Sequence, residues 1–324
     1  MKKRLMGVAL TLVLLWAAAC WWGGSELASP PRRALQNYHR EFLASPAAHG
    51  VSIQPFDAAG GTPCFLVEPL AEGPPGARGQ KVREQLLKQP GLELSPPGKV
   101  IGTLVLLHGR KGRKEDYLPV AERFCAVGYR CVLADLPAHG DNRSPVAGYG
   151  LRENDLPARL LDEAAERFHF APAPAGLMGI SMGGAVAIQA AAKQPLRWSA
   201  LAVVSTFDTL ENAVHRQAAG HAGSFLGSLW QAGSAQVFRW KTGIALDAIR
   251  SVDQVPSLTM PTLVAHGTAD NVIPIECGRA LFAALPPGLE KQWVEIPGAN
   301  HDNVLITDFP IYATIAAWMV RHVK

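Results

Sequence analysis

The chain reads as an α/β protein: a mostly parallel central sheet flanked by helices, opened by an antiparallel N-terminal hairpin and interrupted by a helical cap insert. Three observations predict it. From Val100 onward, short apolar runs alternate with stretches of helical spacing, the pattern of strands joined by crossover helices. The runs are apolar at successive positions rather than at every second one, as in strands buried on both faces. Hydrophobic residues make up 48% and charged ones 18% of the 324 residues, enough for a substantial core and unlike a disordered chain.

The elements follow in order. Residues 25–50 read as a linker that turns weakly helical over 34–43. Residues 51–56 and 63–67 are strands, joined across Asp57-Ala-Ala-Gly-Gly61 as a hairpin that opens an antiparallel edge. Residues 71–98, rich in proline and glycine around a charged helical patch at 82–88, form a surface loop. Then come a strand (100–107), a helix (115–127), a strand (130–134) and a charged amphipathic helix (155–168). An apolar run through Leu177, Met178 and Ile180 passes directly into an alanine-rich helix, and a strand at 199–204 follows. Residues 207–257 break the alternation with a mostly helical insert carrying Phe225, Leu226, Leu229, Phe238 and Trp240. These side chains either line an acyl pocket or fix the insert to the sheet. Alternation resumes with a strand (262–265), a helix (277–285), a strand (292–296) and a final helix (309–320). The expected organisation is an N-terminal segment (1–24), a linker (25–50) and one domain (51–324) with its cap at about 207–257.

Open α/β sheets bind ligands beyond the carboxyl ends of their strands, so chemistry is sought there. The sharpest signal is Gly179-Ile180-Ser181-Met182-Gly183, set between a strand and a helix. So tight a reversal leaves little room for side chains; the glycines supply it, and the turn lifts the Ser181 hydroxyl above the sheet edge. The backbone N–H of Met182, at the helix N-terminus, then faces a developing oxyanion. Other strands end in His108-Gly109-Arg110, in Asp135-Leu-Pro-Ala-His139-Gly140, in His266-Gly267-Thr-Ala-Asp270 and in Gly298-Ala-Asn-His301-Asp302.

These segments together resemble the α/β-hydrolases, in particular the serine esterase, lipase and serine-peptidase-like branch, over roughly residues 51–324. The resemblance implies an α/β-hydrolase fold and a catalytic triad in the order Ser181, Asp270, His301. Ser181 would attack an acyl carbonyl, His301 would take its proton, and Asp270 would hold the imidazole. The backbone N–H groups of Met182 and Arg110 would form the oxyanion hole. His108, His139 and His266 are expected to orient their own loops, Asp135 is chiefly structural, and Asp302 replaces Asp270 only in an unusual loop. The implied activity is cofactor-independent hydrolysis of a small-molecule or lipid carboxylic ester. Acyltransferase, peptidase or thioesterase chemistry remains open on the same residues, as does a non-catalytic envelope binding protein.

Residues before 25 read as a targeting segment: Lys2, Lys3 and Arg4, then an uncharged apolar run from Leu5 to Ala19. Ala-Ala-Ala-Cys20 makes Cys20 a lipidation candidate; the same alanines suit an ordinary signal peptidase, and the run extended through Trp21 and Trp22 suits a retained single-span anchor. Each reading exports the catalytic part to the cell envelope or beyond, the first and last with the N-terminus on the membrane. The formal net charge of +4 and the basic run Arg110–Lys114 come without aromatic interleaving or a basic helix, which argues against nucleic acid. That run reads either as a solvated loop or as a lure for acidic substrates or lipid headgroups. The cysteines other than Cys20 leave disulfide pairing open, and no His/Cys cluster suggests a metal. Oligomeric state is not legible.

Overall fold

The computed structural model describes residues 2–58 and 60–324. Eight strands form one sheet in the order β1-β2-β4-β3-β5-β6-β7-β8. β1 (Val51–Ala58) and β2 (Thr62–Pro69) pair antiparallel, and β2 pairs antiparallel with β4 (Tyr129–Ala134). The remaining pairs are parallel: β3 (Gly102–Leu107), β5 (Ala175–Ile180), β6 (Ala200–Val204), β7 (Thr262–Gly267) and β8 (Lys291–Ile296). Every residue of β3, β6 and β7 is buried, which is why these strands are apolar at both parities. One core layer holds Val105, Leu177, Leu201 and Val264; the opposite layer holds Leu104, Met178, Ala202 and Leu263.

The strand order decides where a ligand belongs. From β3 the chain crosses to β4 on one side, then returns past β3 to β5 on the other. The connections therefore diverge at the carboxyl ends of β3 and β5, leaving a crevice there. β3 ends at His108-Gly109-Arg110 and β5 at Ser181.

The helices include α2 (Asn37–Ala44), α3 (Ala77–Leu87), α4 (Leu118–Cys125), α5 (Leu156–Phe168), α6 (Met182–Lys193), α8 (Ile275–Ala284) and α9 (Ile311–His322). The helix expected over 115–127 is divided. A 3₁₀ turn spans Lys114–Tyr117, and α4 starts only at Leu118. Pro119 lacks an N–H and fits only the first turn of a helix, so the α-helix cannot begin earlier.

The stretch 71–98, expected as a surface loop, holds α3, which buries Val82 and Leu86 in the core. Two further elements differ in form from the sequence expectation. α1 (Lys2–Ala28) continues unbroken past position 24 into the expected linker, and Ala28 is fully buried in the core. Its mean hydropathy of 2.0 over a window in Lys3–Ala28 makes it long and apolar enough to cross a membrane. The insert contains α7 (Leu210–Thr242), broken at Gly223, where φ is 75° and ψ 166°. The two arms fold back as an antiparallel hairpin: the ring of His215 on the first meets Gln231 on the second at 2.7 Å. The second arm lies along α1. Trp230 Nε1 donates to Ala19 O at 2.9 Å, and Trp22 stacks on Trp230 with centroids 6.2 Å apart. Gly24 packs against Ser234 and Val237 where an added Cβ would overlap them.

All five cysteines are free and buried, so the open question of pairing resolves to none. Burial pushes the Cys277 thiol up to about 12, and those of Cys64 and Cys125 upward as well.

Candidate active site

Ser181 occupies the turn between β5 and α6 with φ 51° and ψ −119°, a region disfavoured for a residue with a Cβ and costing about 1–3 kcal/mol. The surroundings enforce it. Ser181 N donates to Val204 O at 2.9 Å, and Gly184 N donates to Ser181 O at 3.0 Å. α6 presses so closely on β3 and β6 that a Cβ on Gly183 would strike Leu107 O and His108 O. One on Gly184 would strike Thr206 Oγ1. The same closeness sets Gly109 against Ser181, with an added Cβ on Gly109 lying 3.5 Å from the serine Cβ.

His301, in the loop after β8, reaches both partners. Its Nε2 lies 3.1 Å from Ser181 Oγ and its Nδ1 lies 2.8 Å from Asp270 Oδ2. Asp270 follows β7 and is fixed through its other oxygen, which accepts from Val272 N at 3.0 Å and Ile273 N at 2.8 Å. Burial alone would raise the Asp270 carboxyl; the hydrogen bonds from His301 and Ile273 and the charge of His301 outweigh it and hold the group low. An ionised Asp270 accepts a hydrogen bond from Nδ1–H, which leaves Nε2 with its lone pair toward the serine hydroxyl. Three residues separated by 120 and 31 positions are thus joined into one hydrogen-bonded line.

The other named histidines bond chiefly to backbone, although His266 Nε2 also lies 3.6 Å from Asp270 Oδ2. Leu136 N donates to His108 Nε2 at 3.0 Å, so Nδ1 carries the proton and bonds Gly109 O at 2.8 Å. His139 Nδ1 bonds Pro137 O at 2.8 Å, and His266 Nε2 bonds Ile273 O at 2.8 Å. Each ties a strand end to its own loop. Burial lowers the pKa of all three, that of His139 to about 3, so they are neutral near neutral pH. Asp302 is exposed on the loop.

The basic run after His108 is not simply a solvated loop. Arg113 and Lys114 are buried. Lys114 Nζ bonds Glu115 at 3.0 Å and Asp135 and Asp141 at 2.8 Å each. Those three carboxylates are close enough to one another to hold a metal ion, but the Lys114 ammonium already answers their charge. Asp135 also accepts from the N–H of Lys114 at 2.7 Å and of Asp141 at 2.9 Å, which knits the loops after β3 and β4. The two bases followed directly by two acids in Arg113-Lys114-Glu115-Asp116 were a signal for such pairing. Arg110 points elsewhere: its guanidinium donates to Glu26 O at 2.8 Å and pairs with Glu26 Oε1 at 3.2 Å, while Lys111 Nζ meets the same oxygen at 2.9 Å. Glu26 has no sequence signal of its own, because it lies in a stretch read as linker.

A cleft of about 2050 Å³ opens over Ser181 and His301. From the insert, its wall is formed by Leu210, Ala213, Val214 and Gln217 of the first arm of α7, and from α1 by Leu27. Phe207, where the insert begins, lines it too, whereas Phe238 is buried against Tyr149, and Phe225, Leu226, Leu229 and Trp240 are exposed. Cys20 is buried between α1 and α7, its sulfur close to Gly233.

Comparison with known proteins agrees with this architecture. The profile of the serine aminopeptidase S33 family matches residues 98–242, a span that includes Ser181 and ends before Asp270 and His301. The α/β-hydrolase domain-containing protein aho-3 of Caenorhabditis elegans is 43% identical over 58 residues, 18% of this chain and 17% of that protein. The α/β-hydrolase domain-containing protein 17C of Mus musculus is 41% identical over 58 residues, 18% of each chain. The matched segment thus spans under a fifth of those relatives. Among solved structures, an esterase from Pyrococcus furiosus superposes with a TM-score of 0.63 at 15% identity, covering 92% of this chain and 99% of that one. A bacterial membrane phospholipase A superposes with a TM-score of 0.55 at 18% identity, covering 99% of both. The fold is that of the α/β-hydrolases, and residues 98–242 carry the sequence profile of a family within that superfamily.

Proposed function

We propose that the protein is a serine hydrolase that cleaves a carboxylic ester through an acyl-enzyme on Ser181. The observation that carries this reading is the line from Ser181 Oγ through His301 to Asp270, at 3.1 and 2.8 Å. His301 takes the serine proton as the hydroxyl attacks the carbonyl, and Asp270 stabilises the imidazolium that forms. The N–H groups of Met182 and Arg110 receive the oxyanion; one such donor contributes about 3 kcal/mol to the transition state. His301 then protonates the leaving alcohol, and water activated by the same imidazole releases the acid. The esterase and phospholipase among the structural neighbours support an ester. The S33 match favours a peptidase as the second reading.

In the same reading α1 is a membrane anchor. Of the three outcomes open for the N-terminus, retention is best supported. Cys20 Sγ packs on Gly233 where an added methyl already overlaps it, so lipidating Cys20 requires the α1–α7 contact to open.

A panel of acyl esters of rising chain length, with an aminoacyl amide beside it, tests the activity. Ser181-dependent turnover of the esters, exceeding that of the amide, is expected. Preferential amide cleavage would replace the reading with a peptidase, and turnover unchanged in Ser181→Ala would remove the serine mechanism.

A further inference from the structure

The exposed large apolar side chains of this chain are concentrated in two places that lie side by side. One is α1, where Leu5, Leu10, Val13 and Leu14 are each about 60% exposed. The other is the tip of the α7 hairpin, where Phe225 is 75%, Leu226 59% and Leu229 44% exposed. Such a patch on a soluble surface is an interaction site rather than an accident of composition.

The register between the two helices fixes their relative height. Ala19 meets Trp230, Gly23 meets Trp230 and Ser234, and Gly24 meets Ser234 and Val237, so α1 and the second arm run parallel. At about 1.5 Å of rise per residue in both, this offset sets Phe225 and Leu226 level with Val13 and Leu14. Residues 5–22 make about 27 Å of helix, close to the ~30 Å of a bilayer's hydrocarbon layer. A bilayer that takes up α1 therefore reaches the hairpin tip as well.

The composition of the tip suits that depth. No Asp, Glu, Lys or Arg occurs between Arg216 and Arg239, across both arms and the turn, in a chain that is 18% charged. The first charges up each arm are basic, Arg216 and Arg239, followed by Lys241, whose ammonium lies 5.1 Å from the centre of the Trp21 ring. Trp21, Trp22 and Trp230 cluster at the level where hydrocarbon would give way to headgroups, the preferred place for tryptophan, with basic groups beyond it.

We propose that the tip of the α7 hairpin is a second membrane-inserting element, which with α1 seats the cleft on the bilayer so that Ser181 receives an acyl ester drawn from the lipid phase. The first arm runs from the hairpin tip to Leu210, Ala213 and Val214 on the cleft wall, so it leads from the lipid surface toward the serine. This rests on the anchored serine hydrolase reading above.

The test uses the full chain in vesicles of phosphatidylcholine with a minority of phosphatidylglycerol. Phe225→Cys carries an environment-sensitive fluorophore, and the native thiols, all buried, stay unlabelled. Quenching by nitroxide lipids and protection from aqueous iodide support the proposal; quenching by iodide alone overturns it, whether or not any ester is cleaved. In the activity arm, the double variant Phe225→Ser, Leu226→Ser is expected to lose about tenfold or more on a vesicle-borne diacyl ester. It is expected to retain wild-type turnover of a short water-soluble ester, which also shows that it folds. Equal turnover of the vesicle-borne ester by variant and wild type overturns the proposal. Failure of the hydrolase reading is separate: the wild type then cleaves neither ester, while the fluorescence still reports where the tip lies.

Discussion

Ser181 is held at φ 51° by neighbours that have no side chains to give way. Gly184→Ala places a methyl group on Thr206 Oγ1, and it is expected to destabilise the fold by about 1–3 kcal/mol, read as a lower denaturant midpoint. Asp270→Asn removes the charge that selects the His301 tautomer while keeping the hydrogen-bonding shape. Turnover of a soluble ester is expected to fall by roughly 10³–10⁴-fold with little change in KM and in thermal midpoint. Ser181 was legible because its turn needs glycine at fixed offsets, and His301 and Asp270 because each follows a strand end. Their 3.1 and 2.8 Å contacts were not, since the alignment of three loops far apart in sequence is a property of the assembled sheet.

The strand runs were visible because burial on both faces leaves an uninterrupted apolar signature, and each expected strand falls within a few residues of an observed one. Helical elements were less so. The end of α1 looks like linker by composition, yet Glu26 clamps Arg110 and Lys111, Leu27 O accepts from Tyr149 at 2.8 Å, and Ala28 O accepts from Ala147 N at 2.9 Å. Nothing local to those residues announces partners more than eighty positions away. Glu26→Gln tests what the clamp does. The ion pairs are partly exposed, so stability should change by less than about 1 kcal/mol. The loop carrying the Arg110 N–H keeps its bond to the residue 26 carbonyl but loses both ion pairs, and kcat is expected to fall about three- to tenfold at unchanged KM. A drop in stability with kcat intact would make the clamp purely structural.

Taken whole, the molecule hides several imidazoles that an unfolded chain would expose. In the folded state burial holds His139 at about 3 and lowers His108 and His266, whereas unfolded histidine titrates near ~6.5. Between those values the unfolded chain binds protons that the folded one does not. Stability is therefore lost as pH falls below about 6.5, and for His139 the loss levels off near its folded value. Asp270, whose carboxyl is lowered on folding, adds a loss only when pH falls below about 4. His139→Gln is expected to make the acid limb shallower by about 1.4 kcal/mol per pH unit, measured by chemical denaturation across it. An unchanged slope would mean that His139 is as free to protonate in the fold as outside it.

The most direct measurement of Ser181's role is labelling of the full-length protein with a fluorophosphonate probe, followed by peptide mapping of the adduct. A nucleophile activated by His301 gives one adduct, on Ser181, that disappears in Ser181→Ala and is strongly slowed in Asp270→Asn. An unlabelled wild type, or an adduct that persists in Ser181→Ala, would show that the Ser181–His301–Asp270 line does not make this serine reactive.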